Sequence, residues 1–440
     1  MPSSKKILIF GGRYATENPY RELLVKRKLE EKGFTTLFAL PGYRLNKAGY
    51  HEKQRNEAPF QRENVVLLDS EQDFYAAVRQ CDAVLFSTWR SYLPLTQMAH
   101  SLGRPTANFS ATNGIDYWSH GVDCCLIRSP YTHRLLLHEH ENSGHTLPPE
   151  NRIALVGSVQ YEYLESVAAH LVPTKEAFYR RYNLDLSRPL AILFPKGIQS
   201  FRDKIPKWFK HWDAHQADVY NQRFLTSYET ICQQVKQARL NLLIKMHPSA
   251  YAGYLCDAAK EYAYWQQYPW AKVLAPEDTL AMLHHADVGL GITSFSALDL
   301  AYFGKPFIYV DSGRIEPPDT LSFATINQIS RIPPGPSSHW HTNPNQFINP
   351  WFPGWVGSYC QSEQLAQVLN DPASLTVRSE DLATFIAEFW YKNDGLASER
   401  IADEFIARCL EPQRSWPLPR RLYRSYRELN YRLRTLTGRR

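Results

Sequence analysis

The sequence predicts an α/β protein with two open parallel sheets, each in its own domain, and a helical extension at the carboxyl end. Three observations predict it. Apolar runs alternate with amphipathic stretches from residue 6 to residue 157, the strand–helix–strand order of a parallel sheet covered on both faces. The alternation restarts near residue 188 with unrelated residues. A chain of 440 residues also exceeds one core, since domains hold ~100–200 residues.

In the first half, "KILIFGG" (6–12) reads as a buried strand ending in glycines, and 19–32 has helical spacing, with Pro19 in the first turn and Gly33 as the stop. Further strands are expected at 34–40, 64–69, 82–88, 104–110, 123–129 and 152–157, with helices at 71–80 and 93–102 between them. In the second half the strand "RPLAILFPKG" ends in Pro195-Lys196-Gly197. A helix over 223–238 leads to "NLLIKMHP", then a helix at 251–263, "AKVLAP", a helix at 278–285, "ADVGLGI", a helix at 295–303 and "KPFIYVD". Residues 312–360 are rich in Pro, Gly, Ser and Trp and read as a long surface excursion. Helices return at 362–371 and 379–411.

Composition narrows the class. An apolar content of 44% and a charged content of 21% are those of a soluble globular protein. No run of ~18 apolar residues suggests a membrane span, and the first apolar run is too short for a signal peptide. Cytoplasmic residence is the expectation. The seven cysteines (81, 124, 125, 232, 256, 360 and 409) form no CxxC pair. They read as buried thiols, without a disulfide framework or a zinc site. The formal charge of +6 is uneven, because residues 420–440 alone carry eight arginines against one glutamate. The rest of the chain is near neutral, which argues against a nucleic-acid-binding body. Within the tail, Leu422, Tyr426, Leu429, Leu433 and Leu436 recur at spacings of four and three, one apolar stripe on a basic helix. Such a helix suits an anionic membrane surface, though packing on the protein body accounts for the stripe equally.

In open α/β sheets, ligands bind outside the carboxyl ends of the strands. Four such ends in the second domain carry polar equipment: Lys196-Gly197, then Lys245 and His247, then Asp278 where it can cap a helix, then Thr293, Ser294 and Ser296 before a helix. Hydroxyls at a helix start with a cation nearby suit a phosphate, and the same hydroxyls also suit plain N-caps. No HExxH or paired Asp/His spacing appears, so no metal is expected. His284-His285 reads as structural or exposed. "GGR" (11–13) falls short of the GxGxxG fingerprint, and "SFSAL" lacks the GxSxG glycines of a nucleophilic serine.

These residues resemble a known pattern. "KMHP" (245–248), "TSFSALDLAYFGKPFIYVD" (293–311) and "IAEFWYKNDGLASERIADEFI" (386–406) are similar, in order and spacing, to the carboxyl-terminal domain of GT-B transferases. The greatest similarity is to the CDP-glycerol glycerophosphotransferase and capsule-polysaccharide group. The resemblance covers roughly residues 188–411. It implies two Rossmann-like domains facing a cleft: an acceptor domain at 1–180, a nucleotide-donor domain at 181–375, closing helices at 376–412 and the basic tail at 413–440. It implies that His247 and Ser294 or Ser296 contact donor phosphates and that Asp299 holds the ribose or braces the serine loop. Gly304-Lys305-Pro306 is then structural, and "VGS" (156–158) enters a hinge.

The amino-terminal half departs from that group. Where the group carries a His-Gly pair, this chain reads "ATNGIDYWSHG" (111–121). The catalytic base is left among His120, Asp116 and Glu17. The implied function is a transferase moving a sugar or polyol phosphate from a nucleotide-activated donor to a cell-surface glycan or lipid-linked acceptor, with no further cofactor. A nucleotide-sugar 2-epimerase and a non-catalytic nucleotide- or glycan-binding protein are the alternatives.

Overall fold

The computed structural model of the chain describes residues 4–11, 20–41, 65–87, 93–109, 121–133, 136–137, 148–166, 172–195, 214–246, 258–275, 278–292, 296–311 and 357–410. The chain divides into two compact units, one formed by residues 1–166 with the chain from 387 onward, the other by residues 167–386.

The first unit opens with β1 (Lys6–Gly11), α1 (Tyr20–Glu31), β2 (Thr35–Pro41), β3 (Val66–Leu68), α2 (Glu71–Arg79), β4 (Ala83–Ser87), α3 (Leu93–Ser101), β5 (Thr106–Phe109), β6 (Cys124–Ile127), β7 (Ile153–Leu155) and α4 (Val159–Ser166). The seven strands form one sheet in the order β3-β2-β1-β4-β5-β6-β7, all parallel. Central strands are apolar throughout because both faces are covered. Ile7, Ile9 and Leu85 pack with Leu23, Val25 and Leu29 of α1. Leu8, Phe10, Val84 and Phe86 pack on the other face with Phe74 and Val78 of α2 and Leu95 and Ala99 of α3. Ser70 starts α2 as its N-cap, its hydroxyl accepting from the Asp73 amide at 3.1 Å.

The second unit runs through α5 (Lys175–Tyr182), β8 (Leu190–Leu193), α6 (Ala214–Gln237), β9 (Asn241–Ile244), α7 (Ala258–Gln266), β10 (Lys272–Val273), α8 (Thr279–His285), β11 (Val288–Gly291), α9 (Ser296–Tyr302), β12 (Phe307–Asp311), β13 (Gly357–Gln361) and α10 (Leu365–Leu369). Its sheet has the order β10-β9-β8-β11-β12-β13 and is likewise parallel. One face buries Leu193, Leu242, Ile244, Val288, Leu290 and Ile308 with Tyr228, Ile231 and Val235 of α6 and Trp265 of α7.

The chain closes with α11 (Ser379–Phe389), α12 (Ala397–Phe405) and a π-helical turn, Ile406–Leu410. Ala397, Ile401, Ala402 and Phe405 join the α1 face of the first unit's core.

Three expectations differ from the fold, and one helix was not expected. The single helix read over 379–411 is broken, because Tyr391 (φ 69°) and Gly395 (φ 66°) take left-handed backbone between α11 and α12. The excursion read over 312–360 ends in a strand: residues 357–361 pair with β12 in register, and "GSYCQ" is too short and polar to announce itself. Helix α6 starts nine residues earlier than the expected 223. Helix α5 carried no expectation, although it has both punctuation marks, a Thr174 N-cap and a left-handed Asn183 C-cap. Among the described residues six cysteines are buried and none forms a disulfide. Cys256 lies outside those residues. No described helix is long and apolar enough to cross a membrane.

Candidate functional site

In the second unit the strand order reverses between β8 and β11, the place where open parallel sheets take ligands. The residues that follow the strands there are Phe194 after β8, Lys245 after β9 and Ile292 after β11. Ladder bonds run one residue past the strands: the Phe194 amide donates to Leu290 O and the Lys245 amide to Leu193 O, both at 2.9 Å. Backbone pairing thus fixes where the Lys245 side chain leaves the sheet.

The ammonium of Lys245 lies 5.9 Å from the centroid of the Phe194 ring. Burial pushes the Lys245 pKa below the ordinary lysine range, and the Asp299 carboxylate opposes that shift without overcoming it. An ammonium desolvated this way gains more from an arriving anion than an exposed lysine does. Asp299 lies in the first turn of α9 and Ser296 is its first residue. Gly289 brings this helix close, and Gly291 makes room beside it for the neighbouring strands. A Cβ at Gly289 would lie 2.2 Å from Leu300 Cδ1 and 2.7 Å from Phe307 Cδ2, and a Cβ at Gly291 would lie 3.1 Å from Phe307 Cζ and 3.3 Å from Phe194 O. Gly289 therefore serves the approach of α9 to the sheet, and Gly291 leaves room for Phe307 and the Phe194 carbonyl of the neighbouring strands.

Of the residues expected at this site, Lys245, Ser296 and Asp299 are described. The Asp299 carboxylate lies near enough to Lys245 to favour its ammonium electrostatically. Lys196, Gly197, His247, Thr293 and Ser294 lie outside the described residues, as do Glu17, Asp116 and His120 of the first half.

Asp278 does not cap α8 with its side chain. Its carboxylate accepts instead from Arg181 Nη1 at 2.5 Å and from the Tyr182 hydroxyl at 2.6 Å. The same hydroxyl accepts from the Ala275 amide at 3.0 Å, so α5 ties down both ends of the segment between β10 and α8. Burial, with Asp278 beside it, pushes the Tyr182 phenol far up. His285 bonds Pro173 O at 2.8 Å and His284 packs on Phe303 at 4.6 Å, both structural contacts.

In the first unit the strand order reverses between β1 and β4. Gly11 and Ser87 end these strands and are register partners. Glu22, in the first turn of α1, is 2% exposed. Its Oε1 accepts from Ser87 Oγ at 2.6 Å. A Cβ on residue 11 would lie 3.1 Å from Glu22 Cγ and Oε1. Glu22 carried no sequence expectation. The available signal was a glutamate placed just after Pro19, behind a strand that ends in glycine.

The "DGLASER" stretch is accounted for by packing within the first unit. Arg400 pairs with Asp394 at 2.7 Å and donates from Nε to Val156 O at 2.8 Å. Glu162 accepts from the Ser398 amide at 2.6 Å and its hydroxyl at 2.5 Å. Burial raises the Glu162 pKa while the two Ser398 bonds hold it back. Gly157 of "VGS" has φ +89°, and a Cβ there would lie 2.8 Å from Arg400 Nη2. Among the described residues no group of three or more His, Cys, Asp or Glu is placed to hold a metal.

Two parallel sheets of seven and six strands, each with its switch point, and returning carboxyl-terminal helices decide the architecture. The fold is of the GT-B type. Among solved structures, the chain is similar to a UDP-GlcNAc 2-epimerase from Neisseria meningitidis bound to UDP-GlcNAc, with 11% identity and a TM-score of 0.53 over 92% of this chain and 100% of that one. It is similar to a glycosyltransferase from Rickettsia africae ESF-5, with 11% identity and a TM-score of 0.51 over 93% and 100%. It is also similar to the wall teichoic acid polymerase TagF, with 13% identity and a TM-score of 0.51 over 92% and 88%. No protein-family model and no curated protein matches the sequence. Within this GT-B chain, Lys245 and Asp299 belong to the second unit and the hydrogen-bonded Glu22 and Ser87 to the first.

Proposed function

We propose that the chain is a transferase that moves a sugar or polyol phosphate from a nucleotide-activated donor to a glycan acceptor. The observation that carries this reading is Lys245, whose ammonium lies 5.9 Å from the Phe194 ring at the carboxyl end of β9, one strand from the reversal between β8 and β11. A nucleotide diphosphate supplies the anion that burial has made Lys245 want. Ser296 at the start of α9 adds a hydroxyl, and the Asp299 carboxylate offsets part of the burial that disfavours the Lys245 ammonium. His247, Thr293, Ser294, Lys196 and Gly197 are proposed as further phosphate contacts on the sequence alone. His120, Asp116 and Glu17 are proposed likewise for the acceptor side. Fold neighbours include a polymerase of wall teichoic acid and a protein bound to UDP-GlcNAc, which supports a nucleotide-linked donor and an envelope-glycan product. The basic stripe at 420–440 suits a lipid-linked acceptor, because it brings the protein to an anionic membrane surface.

The second reading is a nucleotide-sugar 2-epimerase, an activity found on the same fold. Incubation with labelled CDP- and UDP-activated donors and a membrane glycan fraction separates the readings. Label in the glycan is expected. Free epimer supports the second reading, and saturable nucleotide binding with no turnover overturns both.

A further inference from the structure

The connection between β10 and α8 is held more firmly than its own backbone requires. The Asp278 amide donates to Ala275 O at 3.1 Å, which alone would close the connection at its two ends. Helix α5 adds a second closure from 93 residues earlier. The Tyr182 hydroxyl accepts from the Ala275 amide at 3.0 Å and donates to Asp278 Oδ2 at 2.6 Å, so one atom holds both ends. Arg181 Nη1 donates to Asp278 Oδ1 at 2.5 Å. Asp278 is 6% exposed, and a buried carboxylate retains such partners because losing one leaves charge unpaired. Burial keeps the Tyr182 phenol protonated, so it can donate one bond and accept the other.

The place of this brace gives it a use. Ala275 lies past the carboxyl end of β10, the strand beside β9. The Leu274 amide donates to Ile244 O at 2.9 Å, and Lys245 is the next residue after Ile244. The braced ends are thus fixed one strand away from the ammonium that the donor reading assigns to a nucleotide phosphate. Connections at this end of an open sheet meet the ligand, and one ordered beforehand spares binding the entropy of ordering it. We propose that Tyr182, assisted by Arg181, is a positioning residue for the nucleotide donor, holding Ala275 and Asp278 beside the carboxyl end of β9. This rests on the donor reading above. Neither Tyr182 nor Arg181 is assigned contact with the nucleotide. Without the hydroxyl, the Ala275 amide loses its partner, and binding must itself order the connection.

The test is titration calorimetry of the full-length chain with CDP and with UDP, comparing wild type with Tyr182→Phe, Arg181→Gln and Thr174→Ala. Tyr182→Phe removes one oxygen. The loss of one hydrogen bond's worth of preorganisation is expected to raise the nucleotide Kd about tenfold. Arg181→Gln leaves the hydroxyl in place and is expected to raise Kd by less. Thr174→Ala is the control. It removes the N-cap of α5, where the hydroxyl accepts from the Ala177 amide at 3.3 Å, at the other end of the helix from Tyr182. Its melting temperature is expected to fall with Kd unchanged, a separation that a purely structural α5 would not give. An unchanged Kd in folded Tyr182→Phe overturns the brace and leaves the donor reading intact. An equal rise of Kd in Thr174→Ala also overturns it, because any loosening of α5 would then suffice. If Tyr182→Phe does not fold, Arg181→Gln decides: a raised Kd supports the proposal, and a wild-type Kd overturns it. A wild type that binds neither nucleotide overturns the donor reading and the brace with it.

Discussion

Lys245 faces the Phe194 ring at 5.9 Å, and each residue directly follows one of two neighbouring parallel strands, β9 and β8. The cation thus sits beside an aromatic face, in a half-buried place that disfavours its charge. Such a site is costly for the free protein and favourable once an anion is present.

Lys245→Met is therefore expected to separate binding from folding. A hydrogen bond to a charged group contributes about 1.5–3 kcal/mol, so affinity for CDP or UDP falls by roughly ten- to a hundredfold. The methionine refills the volume without a buried charge, so the melting temperature does not fall. Calorimetric titration and thermal melting check the two halves, and unchanged affinity removes Lys245 from the site.

The same group sets a pH dependence with opposite signs for stability and affinity. The folded pKa of Lys245 lies below its unfolded value of 10.5. Between the two, the unfolded chain binds more protons, so Lys245 makes stability rise with pH in that window. Nucleotide affinity falls across the same window as the ammonium loses its charge. Subtracting the Lys245→Met curves from the wild-type curves isolates both slopes, and parallel slopes would contradict the assignment.

Gly289→Ala probes the approach of α9 to the sheet. The added carbon falls 2.2 Å from Leu300 Cδ1 and 2.7 Å from Phe307 Cδ2, and overpacking of this kind costs about 1–3 kcal/mol. For a unit of this size each kcal/mol lowers the melting temperature by about 2–4 °C. Differential scanning calorimetry is expected to show the loss, together with weaker nucleotide binding as Asp299 and Ser296 are pushed off the edge.

The tail prediction concerns residues outside the described ones. Full-length protein is expected to co-sediment with anionic liposomes, and a version ending at Pro417 is expected to stay in the supernatant. Each basic residue near such a surface contributes about 1 kcal/mol, so the difference vanishes at high salt. Equal behaviour of the two versions assigns the arginines to another role.

The sheets were legible because fully buried parallel strands leave continuous apolar runs. Leu242-Leu243-Ile244 lies within Asn241–Ile244. Lys245 stood out because a cation directly after such a run needs something to face. Asp278 misled, since an aspartate before a helix usually caps it, and only tertiary structure reveals Arg181 and Tyr182 as its partners. Glu22 was hidden for the same reason: its meaning depends on Ser87, 65 residues away. "DGLASER" read as one motif of the resemblance, without a role, and its arginine and serine bond Val156 and Glu162.

The return of α12 to the α1 face has a consequence for biosynthesis. The second unit is continuous, residues 167–386, whereas the first needs the chain beyond 387 to complete its core. On a ribosome adding about 5–20 residues per second, the helix that covers Ile9 and Leu23 emerges tens of seconds after the strands it must cover. During that interval the α1 face of the nascent sheet exposes apolar surface suited to a chaperone. The unit synthesised first is then the last to mature, its α1 face only partly covered until residues 397–405 have emerged.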